Sequence, residues 1–506
     1  MMAWRGCALI LLGALIATAP CAAASDAAAR RAQAALDTGA IDRFVLEQMA
    51  AQRVPGLALA ITRGDRVLYL RGYGEARDGA PVTPETQYFV ASLTKSFTAV
   101  AVMQLVEAGR IDLDAPVQAY LPEFTLADPA VAARITVRQL LNQTSGLGDR
   151  GFPAMRLPQP ATLEERLVSL RAARPVAPPG TRFIYHDVNY QILARLVEVV
   201  GGEPFSDDVR AHVLAPLGMG RTFSALTSAE AVARADGLAQ GHLNLFGIPI
   251  ASDEEPGFFA GSGGIVSTAA DMARYLVMHA TGGRLDGATI LSPEGVAALH
   301  TPPPGVDGGY AMGWIATSVD GMPVLEHNGI LSTFYADMAI LPETGEGIVL
   351  LYNINSVAHG SLGFPQIRRG LIALLTGSEP SPSGLGVRGF ELIAGLVTLA
   401  GLALAVRGIL RLPRWADRAR VRPAWRAAPG ILWKLVPAAL ALALPALVLA
   451  TAGRAFGYRT LYRSMLEVGV WLGVTGLLGV ANAVARIALL ARSHAKGEGV
   501  PRRGAD

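Results

Sequence analysis

Cysteine is almost missing from this chain. Among 506 residues there are two, Cys7 and Cys21, both within the first 25. Removal of that stretch leaves no thiol, which excludes disulfides, zinc–thiolate sites and cysteine catalysis from the mature protein. Charge is sparse as well, at 17% of residues, and nearly balanced, with a net +3. Many of the arginines lie after residue 400 beside apolar runs, a distribution that argues against nucleic-acid binding. No Gly-x-Ser-x-Gly elbow and no Walker loop is present. The histidines show no metal-ligand spacing, and His186, His212, His242, His279, His300 and His359 read as structural or solvated. Neither a metal nor another cofactor is expected.

What is abundant is apolar sequence. The mean hydropathy of +0.35 is high for a soluble protein, and the length exceeds one ordinary domain. Residues 1–24 read as a secretory signal: Arg5 supplies the positive start, residues 8–17 the apolar core and Ala22-Ala23-Ala24 a small-residue cleavage site. Pro20 before Cys21 fits a lipidation site badly. A Pro/Gly/Ser-rich stretch around 377–388 predicts a linker. Three apolar runs follow, at 389–412, 431–451 and 465–491, each about the ~20 residues needed to span a bilayer. Arg411, Arg414, Arg418, Arg420, Arg422 and Arg426 gather around the loop 413–430, and Arg492, Lys496, Arg502 and Arg503 in the tail 492–506. The loop 452–464 holds fewer, at Arg454, Arg459 and Arg463. The positive-inside bias places 413–430 and the tail in the cytoplasm and residues 25–376 outside the cell (inner) membrane.

Within 25–376 the pattern is mixed. Residues 26–52 read as an amphipathic helix. Leu57–Ile61 and Val67–Leu70 flank Arg63-Gly64-Asp65 as a hairpin. Residues 135–147 predict a short helix stopped by Gly146, and about 162–173 another. Residues 190–200 have helical periodicity, closed by Gly201-Gly202. The stretch 236–260 has no clear period and reads as a surface loop near a cleft, like the loop 148–160. Thr268 to Asp271 reads as a capping box for a helix over 269–280. From Gly309 onward strands are expected at 310–316, 324–327, 333–341 and 347–353, then a closing helix over 360–376. Strands at both ends and helices between predict an α+β domain.

The chemistry centres on Ser92-Leu93-Thr94-Lys95, where an apolar run meets the start of a helix. Spacing i, i+3 puts a hydroxyl and an amine on one helix face. A hydroxyl becomes a nucleophile when a neighbour takes its proton, and a neutral amine can do so. Taken singly, Ser92 reads as a helix N-cap, Lys95 as a solvated first-turn residue, Tyr185 as core and His327 as a strand-end histidine. Together, Ser92-x-x-Lys95, Tyr185 in Phe-Ile-Tyr-His-Asp-Val-Asn-Tyr, and His327-Asn328-Gly329 resemble the serine β-lactamase and penicillin-binding-protein superfamily. The likeness is to the class C β-lactamase-like hydrolases, here with C-terminal transmembrane helices, over about residues 40–375. The stretches 135–147, 215–219 and 261–271 support it.

The resemblance implies an antiparallel five-stranded sheet flanked by helices, beside an all-helical half, with the site between them. It implies Ser92 as acylated nucleophile, Lys95 as proton acceptor and Tyr185 as a second proton-shuttling group. It implies that His327, Asn328 and Gly329 line the cleft and that the backbone N–H groups of Ser92 and Ile330 form an oxyanion hole, at roughly 3 kcal/mol per donor. To act as base, Lys95 must fall by roughly three pH units from ~10.4, about 4 kcal/mol. A helix N-terminus offers ~0.3–1 kcal/mol, up to ~2 when partly buried, so desolvation is expected to do most of it. Whether Lys95 or Tyr185 takes the first proton stays open.

Two departures bear on substrate. Asp187 stands where the β-lactamase form of the motif has Asn, exchanging an amide donor for a carboxylate. His327 stands where a lysine often sits, and a histidine is mostly neutral near pH 7. Both weaken recognition of a substrate carboxylate, although Asp187, His327, Asn328 and Gly329 remain the expected substrate-binding residues. The expected activity is a membrane-tethered, extracytoplasmic (periplasmic) serine hydrolase forming an acyl-enzyme on an ester or amide/peptide bond. The alternatives are a penicillin-binding D,D-peptidase or weak β-lactamase, and a ligand-binding or acylated sensor. Expected partners are a small-molecule or peptide substrate, cell-wall material among the options, and the lipid bilayer, with no nucleic acid. Asn142-Gln143-Thr144 matches a glycosylation sequon by pattern.

Overall fold

The expected antiparallel sheet forms, and its central strands are covered on both faces. A computed structural model describes residues 36–495 except 382–383 and 421–422. The expected signal over 1–24 lies outside the described residues, as does the tail beyond 495. Strands β1 (Gly56–Arg63) and β2 (Arg66–Arg77) form the expected hairpin. A two-residue strand β3 (Ala80–Pro81) edges β2. Near the other end of the domain come β4 (Ile315–Val319), β5 (Met322–Ile330), β6 (Tyr335–Leu341) and β7 (Glu346–Tyr352). The sheet order is β4-β5-β6-β7-β1-β2-β3, antiparallel throughout. It has seven strands where five were expected. The five were implied by the family resemblance, and the seven include the two-residue edge strand β3. Residues 310–314, expected as strand, bend at Gly309 and Gly313, both of positive φ, and β4 starts only at Ile315.

Every residue of β6 and β7 is buried, because both faces are covered. One face carries α1 (Thr38–Gln52) and the closing helix Phe364–Leu375, packed over Leu57, Leu59, Tyr335 and Tyr352. The other face carries the helix Ala269–Ala280 and the helical half of the domain. That half contains α2 (Thr94–Glu107) and α3 (Asp187–Gly201), which pack on each other. Thr268 caps the helix at 269 as expected, but the Asp271 carboxylate turns away to the Arg221 N–H and the Thr222 hydroxyl. The stretch 236–260 is not a plain loop. It holds a hairpin of His242–Leu245 and Ile248–Ala251, turned by Phe246 and Gly247 at positive φ. Asn142 is buried, so the sequon is not an accessible acceptor.

Three helices are long and apolar enough to cross a membrane: Val387–Leu410, Trp425–Ala452 and Leu466–Arg492. Leu404, Leu442 and Leu477 on them are exposed. The second and third pack closely: a Cβ at Gly479 would meet the Lys434 carbonyl oxygen at 2.0 Å, the small-residue approach typical of membrane helices. The segment between the first two is partly helical, over Leu412–Arg420.

Candidate active site

Ser92 sits in a 3-10 turn, Ala91–Leu93, directly before α2. The turn is pinned from behind. The Val90 N–H donates to the Ile265 carbonyl at 3.0 Å, and the Ile265 N–H donates to Thr94 Oγ1 at 3.0 Å. Ala91 takes positive φ, a strained state for a residue with a Cβ. The strand β5 runs against this turn, and Gly329 makes the approach possible: a Cβ there would stand 2.1 Å from the Val90 oxygen.

Tyr185 precedes α3 and is held by the segment after the short helix Val137–Leu141. The Ile184 N–H donates to the Gln143 carbonyl at 2.8 Å and the His186 N–H to Gln143 Oε1 at 3.0 Å. This brings the Tyr185 hydroxyl to 2.9 Å from Ser92 Oγ. Lys95 Nζ lies 3.0 Å from the same Oγ and 4.9 Å from the Tyr185 ring centre. Ser92, Lys95 and Tyr185 therefore meet, as the family resemblance implies.

Lys95 is fully buried, and Nζ also donates to Asp187 Oδ1 at 2.8 Å and to the Ser262 carbonyl at 2.7 Å. All three ammonium protons have acceptors. Burial alone pushes this lysine down, as the sequence predicts, but the Asp187 carboxylate and Tyr185 outweigh it and hold it above its ordinary range. The expected fall is overturned for a reason the motif hides: Asp187 faces Lys95. Burial pushes Asp187 up, and the Lys95 and Arg454 cations more than offset it, holding the carboxyl well below the usual carboxylate range. Its place in the first turn of α3 also favours negative charge.

His327 is 2% exposed and lies behind Tyr185, with ring centres 6.3 Å apart. Its Nδ1 is 2.7 Å from the Asn328 carbonyl, which can only accept, so Nδ1 carries the proton and Nε2 faces the Tyr310 hydroxyl at 3.3 Å. Burial pushes its pKa down to about 3, so it is neutral near pH 7. Asn328 does not join the group. By strand alternation it points to the opposite face, where Nδ2 donates to the Tyr335 hydroxyl at 3.1 Å. Ile330 ends β5 with its side chain 54% exposed.

Among the site residues that the sequence motifs do not reach is Arg454, from the loop between the second and third long helices. Its Nη2 donates to Asp187 Oδ2 at 2.9 Å, and Nε stands 3.2 Å from Asp149 Oδ2. The guanidinium lies 5.2 Å from the Tyr185 ring centre. In the sequence Arg454 is one of three arginines in the loop 452–464, which carry a topology signal and no catalytic one. Elsewhere among the described residues, Glu203, Asp208 and His212 place ligand atoms within 4.8 Å of one another. The contact of His212 Nε2 with Glu203 at 3.0 Å accounts for part of that grouping, which lies outside the Ser92 constellation.

A sheet covered on both faces, a helical half, and a serine–lysine–tyrosine group at a helix start define a class, and comparison with known proteins agrees. The beta-lactamase family profile matches residues 41–369, and the chain belongs to that family. Penicillin-binding protein 4 of Amycolatopsis lactamdurans is 31% identical over 318 residues, covering 59% of this chain and 81% of that one. The unguisins hydrolase ungD of Aspergillus violaceofuscus is 27% identical over 352 residues, covering 62% of this chain and 61% of that protein's length. The octameric penicillin-binding protein homologue from Pyrococcus abyssi superposes with a TM-score of 0.58 at 29% identity, covering 69% of this chain and 80% of that chain. A class C beta lactamase from Rhodobacter sphaeroides shares the fold, with a TM-score of 0.53 at 22% identity over 67% of this chain and 99% of that chain.

Proposed function

We propose that this protein is a membrane-tethered serine hydrolase whose domain works outside the cell (inner) membrane and forms an acyl-enzyme at Ser92 on an ester or an amide/peptide bond. The observation that carries the reading is one oxygen with two partners: Ser92 Oγ lies 3.0 Å from Lys95 Nζ and 2.9 Å from the Tyr185 hydroxyl. Both are within the reach required of a general base.

We assign the two groups different roles. A neutral Lys95 would have to surrender a proton already held between buried acceptors. Tyr185 is not paired with a carboxylate, whereas Lys95 is held by Asp187, so we assign Tyr185 as first proton acceptor, a role that requires its deprotonated form. Lys95 stays a cation and holds Ser92 and Tyr185 together. Ser92 Oγ then attacks the carbonyl carbon as its proton passes to Tyr185, and the oxyanion forms against the backbone N–H groups of Ser92 and Ile330. Tyr185 returns the proton to the leaving alkoxide or amine. Water, deprotonated by the same oxygen, releases the acid and restores Ser92.

Neutral His327 supplies no cation for a substrate carboxylate, and Asp187 is occupied by Lys95 and Arg454. Both disfavour strong β-lactamase activity and favour substrates without a carboxylate beside the scissile bond. The likeness to a penicillin-binding protein keeps a D,D-peptidase as the second reading.

The test is covalent labelling of the full-length protein in detergent with a fluorophosphonate and with a fluorescent penicillin, with Ser92→Ala as control. Fluorophosphonate label confined to Ser92, with turnover of simple esters, is expected. No label at Ser92 from either probe overturns the reading. Penicillin label that is slowly released points to the peptidase, and label that never turns over to a sensor.

A further inference from the structure

The loop at residues 453–457 is seated, not loose. Gly453, at positive φ, ends the second long helix and turns the chain toward the catalytic domain. Asp149 Oδ2 accepts the Ala455 N–H at 3.0 Å, and Ala455 is fully buried. Arg156 of the catalytic domain donates to the Phe456 carbonyl at 2.9 Å and to the Pro445 carbonyl at 2.8 Å. Arg150 donates to the Ala450 carbonyl at 2.7 Å. On the far side of the loop, Thr460 donates to Glu255 Oε2 at 2.6 Å and Arg459 pairs with Glu255 Oε1 at 3.0 Å. A seat built from both sides fixes where Arg454 points.

We propose that Arg454 is a positioning residue of the Ser92 site: by bridging Asp187 and Asp149 it holds Asp187 on Lys95, so the membrane helices complete the active site rather than only tether it. This rests on the hydrolase reading above.

The charges make the bridge necessary. Without Arg454, Asp149 and Asp187 would repel each other with only Asp187 held by a bonded cation, Lys95. His186, beside Asp149 at 3.4 Å, cannot help, because burial holds it neutral with a pKa of about 3. Arg156 and Arg166 are the other cations near this face, and both act at longer range. Burial pushes Asp149 up, and Arg454 is the largest opposing influence. On the reaction side, the titratable groups facing Lys95 and Tyr185 are Asp187, Tyr190, Tyr310 and neutral His327. A cation here favours proton loss from its neighbours, whichever of Lys95 and Tyr185 is the base. Removing it therefore moves the base's titration to higher pH in either case.

The experiment follows fluorophosphonate labelling of Ser92 against pH in the full-length protein, as wild type, Arg454→Gln and Arg454→Lys. For Arg454→Gln the ascending limb is expected to move up by about one pH unit, with about tenfold slower labelling near pH 7. Arg454→Lys keeps the charge but not the two-carboxylate bridge, and is expected to recover part of the limb. An unmoved limb overturns the proposal, whether the rate is unchanged or falls equally at every pH. A thermal double-mutant cycle of Arg454→Gln with Asp187→Asn tests the same coupling without activity. Non-additive shifts in Tm support it, and additive shifts overturn it. Absence of label in the wild type would overturn the hydrolase reading instead, and the cycle would still decide the role of Arg454.

Discussion

Asp187 does work that its motif position does not advertise. In place of the amide, the carboxylate anchors a buried ammonium at 2.8 Å. Asp187→Asn removes a negative charge beside Lys95 and Tyr185 and is expected to favour proton loss at the base. The pH profile of Ser92 labelling should then shift toward lower pH, opposite to Arg454→Gln, and stopped labelling from pH 5 to 9 measures it. The pairing also bears on stability. Asp187 is depressed, so its contribution is present above the unfolded carboxyl value and is lost as pH falls through the folded one. Lys95 is raised, so its contribution is present below the unfolded lysine value and is lost as pH rises through the folded one. The pair therefore stabilises the fold across the whole neutral range. His327 titrates at about 3. No inflection between pH 6 and 7 is expected from it, and His327→Gln should leave the shape of the profile in that range unchanged.

At the scale of elements, the site depends on how closely β5 meets the turn that carries Ser92. Gly329→Ala puts a methyl group 2.1 Å from the Val90 oxygen. Strand or turn must shift, which is expected to cost about 1–3 kcal/mol and to slow labelling of Ser92, read by thermal unfolding and by labelling rate on one preparation. The same elements show what is legible in sequence. Ser92, Lys95 and Tyr185 could be read because their motifs, taken together in chain order, resemble those of a known family. The hairpin of β1 and β2 could be read from its turn, and the helix at 269 from Thr268. Asn328 was misplaced because a motif names three consecutive residues while a strand sends alternate ones to opposite faces. The 242–251 hairpin was missed because Phe246, Gly247 and Pro249 interrupt its alternation. Arg454 was out of reach: it lies 267 positions from Asp187, and no local pattern reports a contact made by tertiary docking.

Over the whole molecule, the two halves of the chain are joined through polar groups in apolar surroundings. Asn244, on the missed hairpin, is fully buried and donates to Glu391 of the first long helix at 2.8 Å and to Glu467 of the third at 2.9 Å. Those glutamates hold the hairpin. Asn244→Leu leaves both without this donor, and a loss of about 1–3 kcal/mol is expected. It should appear as a lower Tm in detergent and as faster proteolysis between the catalytic domain and the helices.

On the proposed topology, the same docking sets an address. Arg454 lies two residues beyond Ala452, the last residue of the second long helix, and its side chain already touches the catalytic group. Ser92 is thus held near the outer surface of the bilayer instead of roaming on a leash. Substrates that travel in or on the membrane meet it by lateral diffusion, in two dimensions. A bond carried far out in the cell envelope stays beyond its reach, however well it would fit the cleft. Selection by location then acts before selection by shape.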